Sequence, residues 1–187
     1  MIFLNKYKDI RNIRFESFEK TLNLSYDRNL KTIVETGTAR GKIKFFFIKK
    51  YNWKDGMSTP MFAEYSKFIN GKLHTCDISQ KNIKIAKNFT RNFSNYINFY
   101  IQDSLVFLKE FNKQIDLLYL DSLDGHDQVA ASEHQLKEAQ IAIKKLHKKS
   151  LVLLDDKGTK TNLSIDFFIK NNFKIIHETS YQVLLSR

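Results

Sequence analysis

Short apolar runs punctuate the chain at Thr32 to Glu35, Lys72 to Cys76, Ile97 to Ile101, Ile115 to Leu120 and Leu151 to Leu154. Several are apolar nearly throughout, as strands covered on both faces are. Between them, apolar residues recur at helical spacing: Ile43, Phe46 and Phe47; Ile83, Ala86 and Phe89; Leu105, Leu108 and Phe111; Leu136, Ala139, Ile143 and Leu146. Strand alternating with helix predicts βαβ units, and hence a mostly parallel sheet with helices on both sides. The two ends depart from this rhythm. Asp9 to Leu24, with Ile10, Ile13, Phe18 and Leu22 among charges, predicts a lead-in helix, and the tail FKIIHETSYQVLLSR predicts a closing antiparallel hairpin.

The length of 187 residues and 42% hydrophobic content suit one domain with one large core, divided into a lead-in (1–29) and a main body (30–187). No repeat or linker interrupts it, and the sole proline is Pro60. The single cysteine, Cys76, forms no internal disulfide, and the opening MIFLNKYKDIRNIRF reaches charged residues too early for a signal peptide. No apolar stretch approaches the roughly 20 residues of a membrane span, so a cytoplasmic protein is expected. The net charge of +11 admits nucleic acid or another anionic partner. The lysines are scattered along the chain, however, and Lys, Asn, Ile and Phe are abundant throughout, so the charge reads more readily as compositional bias than as a functional surface.

The stretch TIVETGTARGK, Thr32 to Lys42, carries two of only six glycines, Gly37 and Gly41. A strand that ends in a glycine turn and restarts as a helix surrounds a ligand with backbone N–H groups. Spacing discriminates among such loops. A P-loop needs four residues between its glycines, followed by Lys-Ser/Thr; here three separate them, and Ile43 follows Lys42. A dinucleotide fingerprint needs glycine where Ala39 and Lys42 stand.

ETGTARG instead resembles the E-x-G-x-x-x-G loop of class I S-adenosylmethionine-dependent methyltransferases. Further acids follow at the carboxyl ends of the other candidate strands, where open α/β sheets bind ligands: Asp77 in KLHTCD, Asp103 with Ser104 in INFYIQDS, Asp121 in IDLLYLDSLDGH, and Asp155 and Asp156 in LVLLDDKG. The resemblance implies a Rossmann-like three-layer sandwich with a seven-stranded, mostly parallel sheet and a C-terminal antiparallel hairpin. It implies a cofactor site of Glu35 near the methionine part, Gly37, Thr38 and Gly41 in the loop, Asp77 and Ile78 at the ribose, Asp103 and Ser104 at the adenine, and Asp121. The residue types suit such a molecule, because a carboxylate accepts two hydrogen bonds from a diol and attracts an ammonium.

The methyl acceptor is read from the ends of the fourth and fifth candidate strands. DSLDGH lacks the N/D-P-P-Y/F motif of enzymes that methylate base amino groups, and Thr75 rather than proline precedes Cys76. Asp121, Asp124, Asp155 and Asp156 accumulate there instead, with His126 and His134 nearby. This is similar to the small-molecule O-methyltransferase branch, whose acids hold a divalent metal such as Mg²⁺. Asp121, His126 and Asp156 are the catalytic candidates, and Asp121, Asp155 and Asp156 the metal candidates. No lysine follows Asp121 closely, and an aspartate stands where that branch usually has asparagine. His134 and Glu138, at i and i+4, are expected on a solvated helix face, and Lys144, Lys145, Lys148 and Lys149 at that helix's end. O-methylation of a small hydroxylated acceptor, a sugar or phenol, is the leading expectation, with a homodimer as the assembly considered. A nucleic-acid methyltransferase and a non-catalytic cofactor-binding protein are the alternatives.

Overall fold

The computed structural model describes residues 1–45, 48–53, 56–123 and 127–187. A 3-10 turn, Ile2–Tyr7, precedes α1 (Phe15–Asp27) and β1 (Thr32–Thr36). Then come β2 (Lys42–Phe45), β3 (Ile48–Tyr51), α2 (Ser58–Phe68), β4 (Lys72–Asp77), α3 (Gln80–Phe89), β5 (Ile97–Ile101) and α4 (Ser104–Glu110). The chain continues through β6 (Ile115–Leu120), α5 (Gln128–Ala142), β7 (Leu146–Asp155), α6 (Asn162–Lys170), β8 (Lys174–Glu178) and β9 (Gln182–Ser186).

Seven strands form one sheet in the order β5-β4-β1-β6-β7-β9-β8. The first five are parallel, while β9 runs antiparallel to both β7 and β8. The order reverses at β1, which lies between β4 and β6, so the carboxyl ends of β1, β4 and β6 open onto one crevice. Strand residues alternate between two cores. Ile33, Leu117, Tyr119 and Leu153 pack with Phe18 of α1 and Met61 and Phe62 of α2. Val34, Leu118, Leu120 and Val152 face Phe107 of α4, Ala139 of α5 and Phe168 of α6. The result is the expected Rossmann-like three-layer arrangement, with the expected C-terminal hairpin.

Three local expectations are corrected. The segment from Ile43 is not a helix: β2 and β3 form a separate antiparallel ribbon, with Lys42 opposite Tyr51 and Phe45 opposite Ile48. KIKF alternates with period two, and β-branched and aromatic residues favour strands; Phe46 and Phe47 lie outside the described residues. The lead-in helix starts at Phe15 rather than Asp9, because Asp9 accepts hydrogen bonds from Arg11 N and Nε and closes a turn that leaves Ile10 97% exposed. Finally, α5 stops at Ala142; Leu146, Lys148 and Lys149 already belong to β7, and only Lys144 and Lys145 lie in the 3-10 turn between.

Candidate active site

The glycine loop begins where three strands stop together. Gly37 N donates to Cys76 O at 2.9 Å and Asp121 N to Thr36 O at 3.0 Å, extending the ladders by one bond before the chains part. Gly37 has φ +82°, and a Cβ there would lie 2.2 Å from the Asp121 carbonyl oxygen. Only glycine permits this crossing. Gly41 serves packing instead: a Cβ would strike the Phe89 ring of α3 at 2.1 Å.

Glu35 is fully buried beneath the loop. Its carboxylate accepts a hydrogen bond from Thr59 Oγ1 of α2 at 2.8 Å, and Thr59 Oγ1 in turn accepts from Ala39 N at 2.8 Å. The glutamate therefore braces the loop through α2, and it is not among the side chains that line the crevice. Thr38 is held from both sides, by Thr75 Oγ1 at 2.7 Å and by its own N–H donating to Asp77 Oδ2 at 3.3 Å. The crevice above encloses about 440 Å³, and its walls include Gly37, Thr38, Asp77, Ile78, Asp103 and Ser104. Asp77 also accepts from Ser79 N at 2.7 Å and from Asn82 Nδ2 at 3.1 Å, which fix its orientation while leaving lone pairs for a ligand. Asp103 caps α4 through Oδ1, accepting from Leu105 N and Val106 N.

The helix face carrying His134 and Glu138 is not solvated. Glu138 is fully buried and accepts from Ser122 Oγ at 2.6 Å, and His134 Nε2 lies 2.8 Å from Ser104 Oγ at the crevice wall. Burial raises the Glu138 carboxyl above its ordinary range, and hydrogen bonds from Ser104 and Ser122 offset part of that rise. Hydrophobicity pointed to the wrong face because the buried side of α5 is made of Ala131, Gln135, Glu138, Ala139 and Ala142. Such small and polar residues let the helix approach the strand ends closely.

At the other end of the crevice, Asp121, Asp155 and Asp156 converge, with one oxygen of each within 4.8 Å of the others. Two cations that motif reading did not single out lie among them. Arg14, from the turn before α1, donates from Nε to Asp155 Oδ1 at 2.6 Å and from a terminal nitrogen to Asp156 Oδ1 at 2.7 Å. Lys160, only 2% exposed, places Nζ 3.1 Å from Asp121 Oδ1 and 2.8 Å from Asp156 Oδ2. Gln182 of β9 donates to Asp155 Oδ1 at 2.9 Å, and Tyr119 to Asp121 Oδ2 at 3.2 Å. Burial and the neighbouring Asp155 push Asp121 well above the ordinary carboxylate range, although Lys160 pulls the other way. Burial would raise Asp156 too, but Lys160 and Arg14 outweigh it and hold that carboxyl low. The i, i+4 spacing of Asp156 and Lys160 was a usable signal; Arg14 had none. Asp124 and His126 lie outside the described residues.

A doubly covered sheet whose order reverses at a glycine loop, with acids along the carboxyl ends, defines a protein that binds a nucleoside-bearing ligand at its switch point. Residues 34–157 match the family model of a methyltransferase domain, and the chain belongs to that family. It is an S-adenosylmethionine-dependent methyltransferase. Solved structures share the fold. One is the SAH-bound Podospora anserina methyltransferase PaMTH1, at TM-score 0.63 and 12% identity over 92% of this chain and 78% of that one. Another is an rRNA methylase from Streptococcus thermophilus, at TM-score 0.63 and 8% identity over 91% and 95%. The N-methyltransferase NodS from Bradyrhizobium japonicum gives TM-score 0.60 and 14% identity over 92% and 94%. No curated protein sequence matches the chain. Among the described residues no helix is long and apolar enough to cross a membrane.

Proposed function

We propose that this methyltransferase holds S-adenosylmethionine across Gly37, with the ribose hydroxyls on Asp77 and the adenine beside Asp103 and Ser104, and methylates a hydroxyl presented at the Asp121 rim. The observation that carries this reading is the crossing of Gly37 and the Asp121 backbone, which sets the cofactor loop against the end of β6, where the Asp121 side chain also lines the crevice. The bound sulfonium supplies the methyl group, by in-line displacement. The protein then has to align the acceptor oxygen, exclude water and take a proton. Asp121, with its raised proton affinity, suits the role of base better than an exposed aspartate would. Asp156, held low and tied to Lys160 and Arg14, suits a positioning role.

The spacing of the three acids would suit a metal ion, but Lys160 and Arg14 already occupy the space among them and offset two of the three charges. A divalent ion among them would have to displace a buried ammonium. The donor set therefore does not fit Mg²⁺, and the proposed reaction runs without one. The missing base-methylating motifs favour a small hydroxylated acceptor; a nucleic-acid acceptor is the second reading, favoured by how the fold gathers charge.

The test is calorimetry with S-adenosylmethionine, then turnover of labelled cofactor on a panel of hydroxylated small molecules and RNA. Asp77→Asn is expected to weaken binding by about 1.5 to 3 kcal/mol, the scale of hydrogen bonds to a charged group. Asp121→Asn is expected to abolish turnover while leaving binding in place. Full activity of Asp121→Asn would remove that residue from the mechanism.

A further inference from the structure

The lysines that look scattered in sequence are not scattered in space. Between Glu35 and Asp55 the chain has six Lys or Arg and no acid, and between Asp77 and Asp103 it has four and no acid. The rest carries 21 basic and 20 acidic residues, so these two segments account for nearly all of the +11 charge. The first segment contains the β2–β3 ribbon and the second contains α3, and the fold joins them. Gly41 lets Phe89 of α3 pack at the base of the ribbon, and the Phe89 ring lies 5.9 Å from that of Tyr51, which is itself 5.3 Å from Trp53.

On α3, Lys81, Lys84 and Lys87 follow one another at i, i+3 and i+6 on the exposed face, and Arg91 continues the line. Shallow depressions of about 580 and 620 Å³ flank this stripe, between α3 and the edge strand β5, and Phe99, Tyr100 and Ile101 form part of their floor. In the ribbon, the register sets Lys44 opposite Lys49 and Ile43 opposite Lys50. The track ends at the active-site crevice, which Arg40 and Asn82 help to line.

We propose that this surface, formed by the β2–β3 ribbon and α3, binds the phosphate backbone of single-stranded nucleic acid and leads it to the crevice. The proposal develops the second reading of the acceptor, a nucleic acid in place of a small molecule, and rests on the methyl-transfer reading for the direction of the track. A row of cations at helical spacing tracks a backbone, and Tyr51, 52% exposed, offers a ring on which a base can stack. A small anion would need only one such group. Capture by a membrane surface is the competing outcome, and the vesicle arm of the experiment distinguishes it.

The experiment is fluorescence anisotropy with a labelled single-stranded RNA of mixed sequence, titrated over a range of salt, on the full chain. With four or more phosphate contacts the logarithm of affinity should fall with log salt at a slope of roughly −3. Lys84→Glu/Lys87→Glu and Lys44→Glu/Lys49→Glu should each weaken binding roughly tenfold and flatten the slope by more than about one unit. The control Lys148→Glu/Lys149→Glu, an exposed pair on β7, should stay within about twofold. Equal loss in the control would reduce the effect to net charge and overturn the proposal. Absence of RNA binding, or capture by phosphatidylglycerol vesicles without RNA binding, would overturn it too. Calorimetry with S-adenosylhomocysteine on each variant separates the two claims: retained cofactor binding without RNA binding defeats only the nucleic-acid surface, and RNA binding without cofactor binding defeats the methyl-transfer site.

Discussion

Lys160 Nζ lies 3.1 Å from Asp121 Oδ1, joining the turn after β7 to the end of β6. Asp121 and Asp156 raise the ammonium's proton affinity despite burial, which acts the other way, so the lysine keeps its charge throughout the ordinary pH range. Lys160→Met should destabilise the fold by about 1 to 3 kcal/mol, because it leaves the part-buried Asp121 and Asp156 without the cation that lies between them. Urea denaturation measures this. The wild-type enzyme should keep full turnover in EDTA, and loss of turnover restored by Mg²⁺ would reverse the proposed assignment.

Gly37→Ala should abolish cofactor binding while leaving secondary structure nearly intact. The added Cβ meets a backbone carbonyl at 2.2 Å rather than a flexible side chain, so the loop itself must move. Calorimetry with S-adenosylhomocysteine checks binding, and far-ultraviolet circular dichroism checks the fold. Unchanged affinity would separate the loop from the cofactor site.

Arg14 fastens the segment before α1 to Asp155 and Asp156. Arg14→Ala leaves Asp155 buried with only Gln182 as a hydrogen-bond donor among the contacts described above, and a loss of about 3 to 5 kcal/mol is expected. Asp155→Asn should lose less, because the amide carries no charge to strand. Thermal and chemical denaturation of the two variants will rank them, and the reverse order would contradict the charge argument.

His74 of β4 is buried, with Nδ1 3.0 Å from Tyr100 Oη and its ring edge-on to Phe111. Burial, aided by the charges of Lys113 and Lys72, lowers its pKa to about 4. The folded state thus keeps the ring neutral while the unfolded chain takes up a proton below about 6.5. Between these values the unfolded state binds more protons, so stability falls as pH drops, by an amount on the order of 3 kcal/mol at full extent. Denaturation at pH 7 and pH 4.5 should show a smaller loss in His74→Gln than in the wild type; equal losses would mean that another group sets the acid limit.

The sequence alone determined the seven strands of the main sheet and the line of acids at the strand ends, but not the β2–β3 ribbon, whose apolar spacing read as helix. Both follow from local signals: apolar runs mark strands covered on both sides, helical spacing marks the layers, and acids or glycines just after a strand fall at its carboxyl end. Tertiary structure decided what those residues touch. Glu35 is carried under the loop to Thr59, α5 turns His134 and Glu138 inward because its buried face is small and polar, and Arg14 crosses 141 residues to reach Asp155. The two acid-free segments are brought together only where Phe89 meets Gly41. Periodicity records how strongly each residue avoids water, but a buried ion pair or a gathered charge depends on which distant segment arrives opposite it, and no local pattern carries that information.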